Sequence, residues 1–168
     1  MLDRIGVVLT DEETQRIEVA DFGLNQLDVI GLQLLTYINT ERVCSKELVL
    51  FPGQTCPEHI HPTIGTRSGK EETFRCRWGE VSLYVPGPET AGEGGSNPIQ
   101  ADPHFSVHHE IRLLPGEQYT IMPDTKHWFR AGKDGAVVSE FSTRSTDEED
   151  IFTDPRIVRA PAVAPAGQ

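Results

Sequence analysis

Long apolar runs are missing from this 168-residue chain. Nothing approaches the roughly 18 consecutive apolar residues that a membrane helix needs, so no membrane partner is expected. Basic residues are scarce: 15 Lys and Arg stand against 26 Asp and Glu, for a net charge of −11. That balance disfavours a phosphate-backbone partner, which calls for a basic face, so no nucleic acid is expected. Cysteine is scarce too. Cys44, Cys56 and Cys76 include no CxxC pair, which argues for free thiols in a reducing compartment and against a structural zinc site of thiolates. The opening residues, Met1 to Arg4, lack the basic-then-apolar pattern of a secretory signal. A cytoplasmic location is the expectation, and the length suits one domain with its own core.

What is present is mostly strand-like. Thr10 and Glu13 form a capping-box pattern that predicts a short helix from 11 to about 20, with Gly23 as its stop. After that the period shortens. Strands are expected over 28–38, 42–51, 55–61, 72–77, 80–85, 107–114, 117–122, 126–131 and 136–143. Turns separate them at Asn39–Glu41, Pro52-Gly53, Trp78-Gly79 (as a hairpin), Pro115-Gly116, Pro123-Asp124 and Gly132–Gly135. Residues 86–105 read as a long surface loop. Many short strands with almost no helix predict an all-β antiparallel sandwich or barrel.

Within that frame, four residues have the chemistry of metal ligands. His59 and His61 lie one residue apart on an extended segment and so share a face. Glu72 shares its strand face with Phe74 and Cys76, whereas Glu71 faces the other way with Thr73 and Arg75. His127 follows the Pro123 turn and precedes Trp128 and Phe129. Singly, these read as surface histidines, a solvated carboxylate and a packed core histidine. Together, three imidazoles and a carboxylate suit Mn²⁺, Fe²⁺, Co²⁺ or Zn²⁺, and an octahedral ion would keep two positions for adjacent substrate oxygens. Lys46 shares a strand face with Cys44, Leu48 and Leu50, an unusual setting for an ammonium group. It reads either as a functional group or as a lysine that snorkels to the rim. Lys70 stands two residues before Glu72, at the loop's end, and reads either as a group that reaches the site or as a solvated loop lysine. Glu140 sits in an otherwise apolar strand, where burial raises a carboxyl's pKa and suits it to act as a base near neutrality; the alternative is a carboxylate at a strand rim paired with an arginine. His109 alternates with Ile111 and Leu113 and reads as a packed core histidine or a pocket residue. Trp128 and Phe129 read as walls.

The spacing resembles the cupin superfamily, whose first motif is matched at Gly53, His59, His61, Glu72 and Gly79, and whose second is matched loosely at Gly116, Pro123 and His127. The His61–Glu72 gap is longer than in many cupins, and Thr125 stands where many have Gly. Four longer stretches are similar to the small bacterial D-lyxose isomerases: Cys44–His59 (CSKELVLFPGQTCPEH), Gly69–Arg77 (GKEETFRCR), Gln118–Phe129 (QYTIMPDTKHWF) and Asp150–Ile157 (DIFTDPRI). The resemblance implies a cupin double-stranded β-helix (jelly-roll) barrel with a short N-terminal helix over 1–157, with a disordered tail over 158–168. It implies reversible isomerisation of D-lyxose to D-xylulose, and of D-mannose to D-fructose, by C1/C2 proton transfer through an enediol. It favours manganese, assigns Lys46 to a substrate oxygen or a proton shuttle, and implies a homodimer. Two rival readings use the same ligands: a cupin dioxygenase with iron, and a non-catalytic cupin that binds a sugar or a metal. Lys46 and Glu140 favour proton transfer, because oxygen chemistry needs neither.

Overall fold

Apolar and polar residues alternate over short runs after Ala20, and a run of that kind buries one face of a strand. The computed structural model describes residues 1–90 and 102–159. It contains β1 (Glu18–Ala20), β2 (Leu32–Asn39), β3 (Cys44–Leu50), β4 (Thr55–Ile60), β5 (Glu72–Val85), β6 (His109–Leu113), β7 (Gln118–Ile121), β8 (His127–Ser142) and β9 (Ile151–Phe152). The ladders between these strands are all antiparallel.

Two long strands shape the molecule. β5 and β8 pair along most of their length, from Glu72 opposite Ser142 to Tyr84 opposite Trp128. Their first and second halves take different neighbours, so the single nine-stranded sheet curls into two facing halves. One half runs β1-β2-β3, the end of β8, the start of β5, then β7. The other runs β9-β4, the start of β8, the end of β5, then β6. Leu34, Leu48 and Phe74 from the first half pack with Leu83, Trp128 and Phe129 from the second. The all-β expectation is met.

The structure corrects three local readings. First, Trp78-Gly79 is no hairpin and Gly132–Gly135 no strand break. Both lie inside continuous strands, where the register slips between Cys76 and Trp78 and again between Gly79 and Val81. Gly79 has φ +72° and Gly135 φ +90°, so the two strands bend together at facing left-handed glycines, as β-bulges allow. Second, helix α1 spans only Asp11–Gln15. Its capping box is present, with the Thr10 hydroxyl accepting from Glu13 N–H and the Glu13 carboxylate accepting from Thr10 N–H. By Glu18, pairing with β2 has overridden helical propensity. Third, Val158 and Arg159, expected in a loose tail, are held: Val158 N–H donates to Phe22 O at 3.0 Å and Arg159 pairs with Glu18. Residues 91–101 of the expected loop and 160–168 of the tail lie outside the described residues. Pattern reading also missed β9, which is too short to show a period, and a 3-10 turn at Leu2–Ile5 whose Arg4 lies over Trp78.

Phe22, just after β1, is buried with φ +57°. A left-handed conformation costs a residue with a side chain about 1–2 kcal/mol, so its surroundings must hold it there.

A Cβ on Gly79 would lie 2.0 Å from the Gly135 carbonyl oxygen. Gly79→Ala should therefore destabilise the fold by about 3 kcal/mol, read as a lower urea midpoint. An unchanged midpoint would show that the paired bend is not a constraint.

Candidate active site

The metal-ligand candidates converge because the curl brings β4, β5 and β8 together at one end. His59 lies opposite His127 across the β4–β8 ladder, and a bulge between Cys56 and His59 turns both toward the interior. The His59 ring lies 4.2 Å from that of His127 and 4.7 Å from that of His61, between centroids. All three histidines are buried, and their candidate ligand atoms lie within 4.8 Å of one another. Glu72 Oε1 lies 3.0 Å from His127 Nε2 and 3.2 Å from His61 Nε2.

Each imidazole is oriented from behind. His59 Nδ1 lies 2.8 Å from Pro57 O, His127 Nδ1 3.0 Å from Thr125 O, and His61 Nδ1 2.5 Å from Asp150 Oδ1. An acceptor at each Nδ1 holds a proton there and turns Nε2 inward, the usual support of a metal-bound histidine. The His127 Nε2 is buried and, despite its short distance to Glu72, has no hydrogen-bond partner. Charge gives a second sign of fit. Burial and the Lys70 ammonium both oppose a charge on His61, yet Glu72 and Asp150 outweigh them and raise it to about 9. Burial holds His59 well below the usual range, reinforced by the neighbouring imidazoles. The site thus demands positive charge beside Glu72, which a divalent ion on three nitrogens and one carboxylate would supply.

A charged wall adjoins this cluster. Lys70 Nζ lies 2.7 Å from Glu72 Oε2, 3.2 Å from Glu140 Oε1 and 3.8 Å from Asp147 Oδ1. Lys46 faces Glu140 across the β3–β8 ladder, and its Nζ donates to Ser145 Oγ at 2.8 Å and Asp147 Oδ2 at 2.7 Å. Burial opposes the charge on both lysines. The carboxylates win, holding Lys46 above and Lys70 well above the usual range, and burial is likewise outweighed at Glu72 and Asp147, both held well below theirs. Ser142 Oγ donates to Glu140 Oε1 at 3.0 Å. All seven expected site residues are buried and adjoin one pocket, whose walls also include Phe22, Phe129, Phe152, Asp147, Asp150 and Arg159. The Lys46 side chain turns inward, so the snorkelling alternative fails.

Three charged contributors escaped the sequence reading. Asp147 and Asp150 lie in an acidic run that looks like a solvated stretch, and Arg159 lies at the edge of the expected tail. Only the DIFTDPRI stretch, at Asp150, carried a signal. Their segment is anchored to the barrel: Asn39 exchanges two hydrogen bonds with Ser145, and Thr153 N–H donates to Glu58 O. The Glu58 side chain, buried one residue before His59, accepts from Ser106 N–H, Ser106 Oγ, Val107 N–H and Thr153 Oγ1. Burial presses its carboxyl pKa upward, but those bonds win and lower it. His109 does not adjoin the pocket; its Nδ1 lies 2.9 Å from Pro88 O. Trp128 stacks on Tyr84 at 3.8 Å, and of the two expected wall aromatics Phe129 lines the pocket.

The family model for D-lyxose isomerase matches residues 12–165. The chain belongs to the D-lyxose isomerase family. It is 58% identical over 163 residues to the D-lyxose ketol-isomerase of Thermofilum sp., covering 97% of this chain and 91% of that one. It is equally identical over 162 residues to the D-lyxose/D-mannose isomerase of Thermosediminibacter oceani, covering 96% and 90%. Among solved structures, an L-ribose isomerase of Cellulomonas parahominis superposes with a TM-score of 0.74 at 18% identity, covering 95% of this chain and 89% of that chain. That likeness bears on the fold alone, and it supports the expected cupin barrel.

Asp150 holds His61 from behind. Replacing it with Asn removes the charge that keeps the His61 Nδ1 proton in place. If the cluster holds a divalent ion, Asp150→Asn should weaken its binding about 10–100-fold, measured by calorimetric titration with divalent transition metals. Wild-type affinity would assign Asp150 to packing only.

Proposed function

We propose that this protein is a divalent-metal-dependent aldose–ketose isomerase that interconverts D-lyxose and D-xylulose, and D-mannose and D-fructose. The observation that carries this reading is the meeting, in one buried pocket, of four metal-ligand candidates with Glu140 and two lysines, in a chain that matches the family over residues 12–165.

His59, His61, Glu72 and His127 would hold the ion, here read as manganese, with cobalt, iron or zinc as substitutes. When bound, it supplies a Lewis acid for the O1/O2 pair of the sugar. The rest of the chemistry falls to side chains. Glu140 takes the C2 proton of the open-chain aldose and returns it to C1 through a cis-enediol, as general base and then general acid. Its carboxylate suits the task because Lys70 and Ser142 fix one oxygen, Oε1. Lys70 balances charge between Glu72 and Glu140. Lys46, anchored by Ser145 and Asp147, binds a substrate hydroxyl or carries a proton to and from the oxygens. The apolar walls exclude bulk water, which slows but does not prevent exchange of the abstracted proton with solvent. We further read the protein as a cytoplasmic homodimer. The three buried free cysteines accord with a reducing compartment, and the outer strands of the curled sheet offer edges that a second copy would cover.

The test is turnover of D-lyxose and D-mannose with Mn²⁺ in deuterium oxide. We expect conversion with deuterium at C1 of the ketose product, and loss of activity on chelation. Glu140→Gln should lower kcat by about 10²–10⁴-fold while Mn²⁺ still binds. Near-normal turnover in that variant would remove Glu140 from the mechanism. Complete absence of label would replace proton transfer with a hydride shift, and oxygen uptake with iron would replace isomerase with dioxygenase.

A further inference from the structure

The two halves of the curled sheet share β5 and β8 on one side, but on the other side they end separately. β1 is the outer strand of one half and β9 of the other, and among the described residues no ladder joins them. A backbone bridge from Ile30 to Thr55 and a set of side chains close this seam. Phe22, directly after β1, packs edge-on against Phe152 of β9, with ring centroids 5.6 Å apart. The Arg159 guanidinium lies 5.9 Å from the centre of the Phe22 ring, and Val158 N–H donates to Phe22 O. The ring lines the same pocket as His59, His61 and Glu72.

Two observations single out Phe22 within the seam. Its backbone is left-handed, at φ +57°, a conformation that favours Gly or Asn. A large aromatic held there indicates that the position of the ring matters more than the ease of the turn. The second observation is distance from the metal-ligand cluster. Phe152 lies 5.5 Å from His59, between centroids, and Phe22 stands one ring beyond Phe152. Among the ring contacts of the described residues, Phe22 therefore meets Phe152 rather than the histidines, with Phe152 between it and His59.

Space in the pocket is short. Only about 40 Å³ of it is open to the centre of a water-sized sphere, so a bound sugar contacts its walls. D-lyxose and D-mannose share the same configuration at C2, C3 and C4, and D-mannose differs by one further carbon at the far end. With O1 and O2 at the metal end, any discrimination between them must come from the opposite wall.

We propose that Phe22 is the specificity-determining residue for sugar chain length: its ring stops the far end of a five-carbon chain and disfavours a six-carbon one. This rests on the isomerase reading above. The test compares wild type with Phe22→Ala and Phe22→Leu, all loaded with Mn²⁺. It measures kcat/KM for D-lyxose and D-mannose, and inhibition constants for the corresponding polyols, D-arabinitol and D-mannitol. Phe22→Ala should raise the mannose-to-lyxose ratio of kcat/KM at least about tenfold, the scale of one carbon group in a pocket. The polyol constants should shift the same way, with Phe22→Leu intermediate. Should Phe22→Ala fail to fold, Phe22→Asn, which tolerates the left-handed backbone, supplies the small side chain. Variants that fold and bind Mn²⁺ but keep the wild-type ratio would overturn the proposal and leave Phe22 as seam packing. A wild-type protein that converts neither sugar would overturn the isomerase reading, and this inference with it.

Discussion

A single ammonium group, Lys70 Nζ, is shared among Glu72, Glu140 and Asp147, and the arrangement of the pocket follows from it. Each buried ion forfeits several kcal/mol of hydration, so charges inside this barrel persist only by holding one another. Lys46, Lys70 and Arg159 face Glu72, Glu140, Asp147 and Asp150 around the same pocket. With His61 protonated, as its raised pKa of about 9 implies, the charges balance; an ion that displaced that proton would meet one excess negative charge against apolar walls. A divalent cation would reverse the sign, leaving the pocket suited to negative charge developing on a sugar's oxygens. The same balance makes the pocket intolerant of single losses. Removing one member strands its partner as an uncompensated buried charge, which costs far more than the pair contributes while intact.

Geometry enters through the backs of the histidines. Pro57 O and Thr125 O, which orient His59 and His127, are main-chain groups two residues upstream of the rings they hold. Their positions follow from the path of β4 and from the turn that leads into β8. His61 is different, because its support is the side chain of Asp150, outside the barrel. The alignment of one ligand therefore depends on a segment docked from elsewhere. Glu58 couples the two: it sits on β4 beside His59 and fixes Thr153, three residues after Asp150.

Legibility in the sequence followed this division. His59, His61, Glu72, Lys46 and Glu140 lie on or beside strands with a clear period of two, so their common face could be read from neighbours such as Phe74 and Leu48. His127 was legible from its turn and its aromatic neighbours. Asp147 and Arg159 were not. Asp147 lies in a short 3-10 turn within an acidic run, where nothing local distinguishes a buried carboxylate from a solvated one. Arg159 borders a Pro-Ala-rich stretch that reads as tail. The barrel itself was legible in class, while its two bends were read as turns. A glycine inside a long strand and a glycine in a hairpin look alike in sequence. Only the facing of Gly79 against Gly135 separates them, and that is a contact between positions 56 residues apart.

The segment from Ser145 to Arg159 differs in kind from the barrel that it covers. The barrel strands position most of the metal-ligand candidates and the proposed base, and their hydrogen-bond ladders hold them rigidly. The covering segment brings Asp147 to the lysines, Asp150 to His61, Phe152 to His59 and Arg159 to the seam. Beyond the two-residue β9 ladder to β4 and the backbone bonds of Thr153 and Val158, its anchors are individual side-chain contacts, so substitutions there can reshape the pocket while leaving most strand ladders intact. A TM-score of 0.74 to an L-ribose isomerase at 18% identity shows that the strand path persists between chains whose sequences have largely diverged.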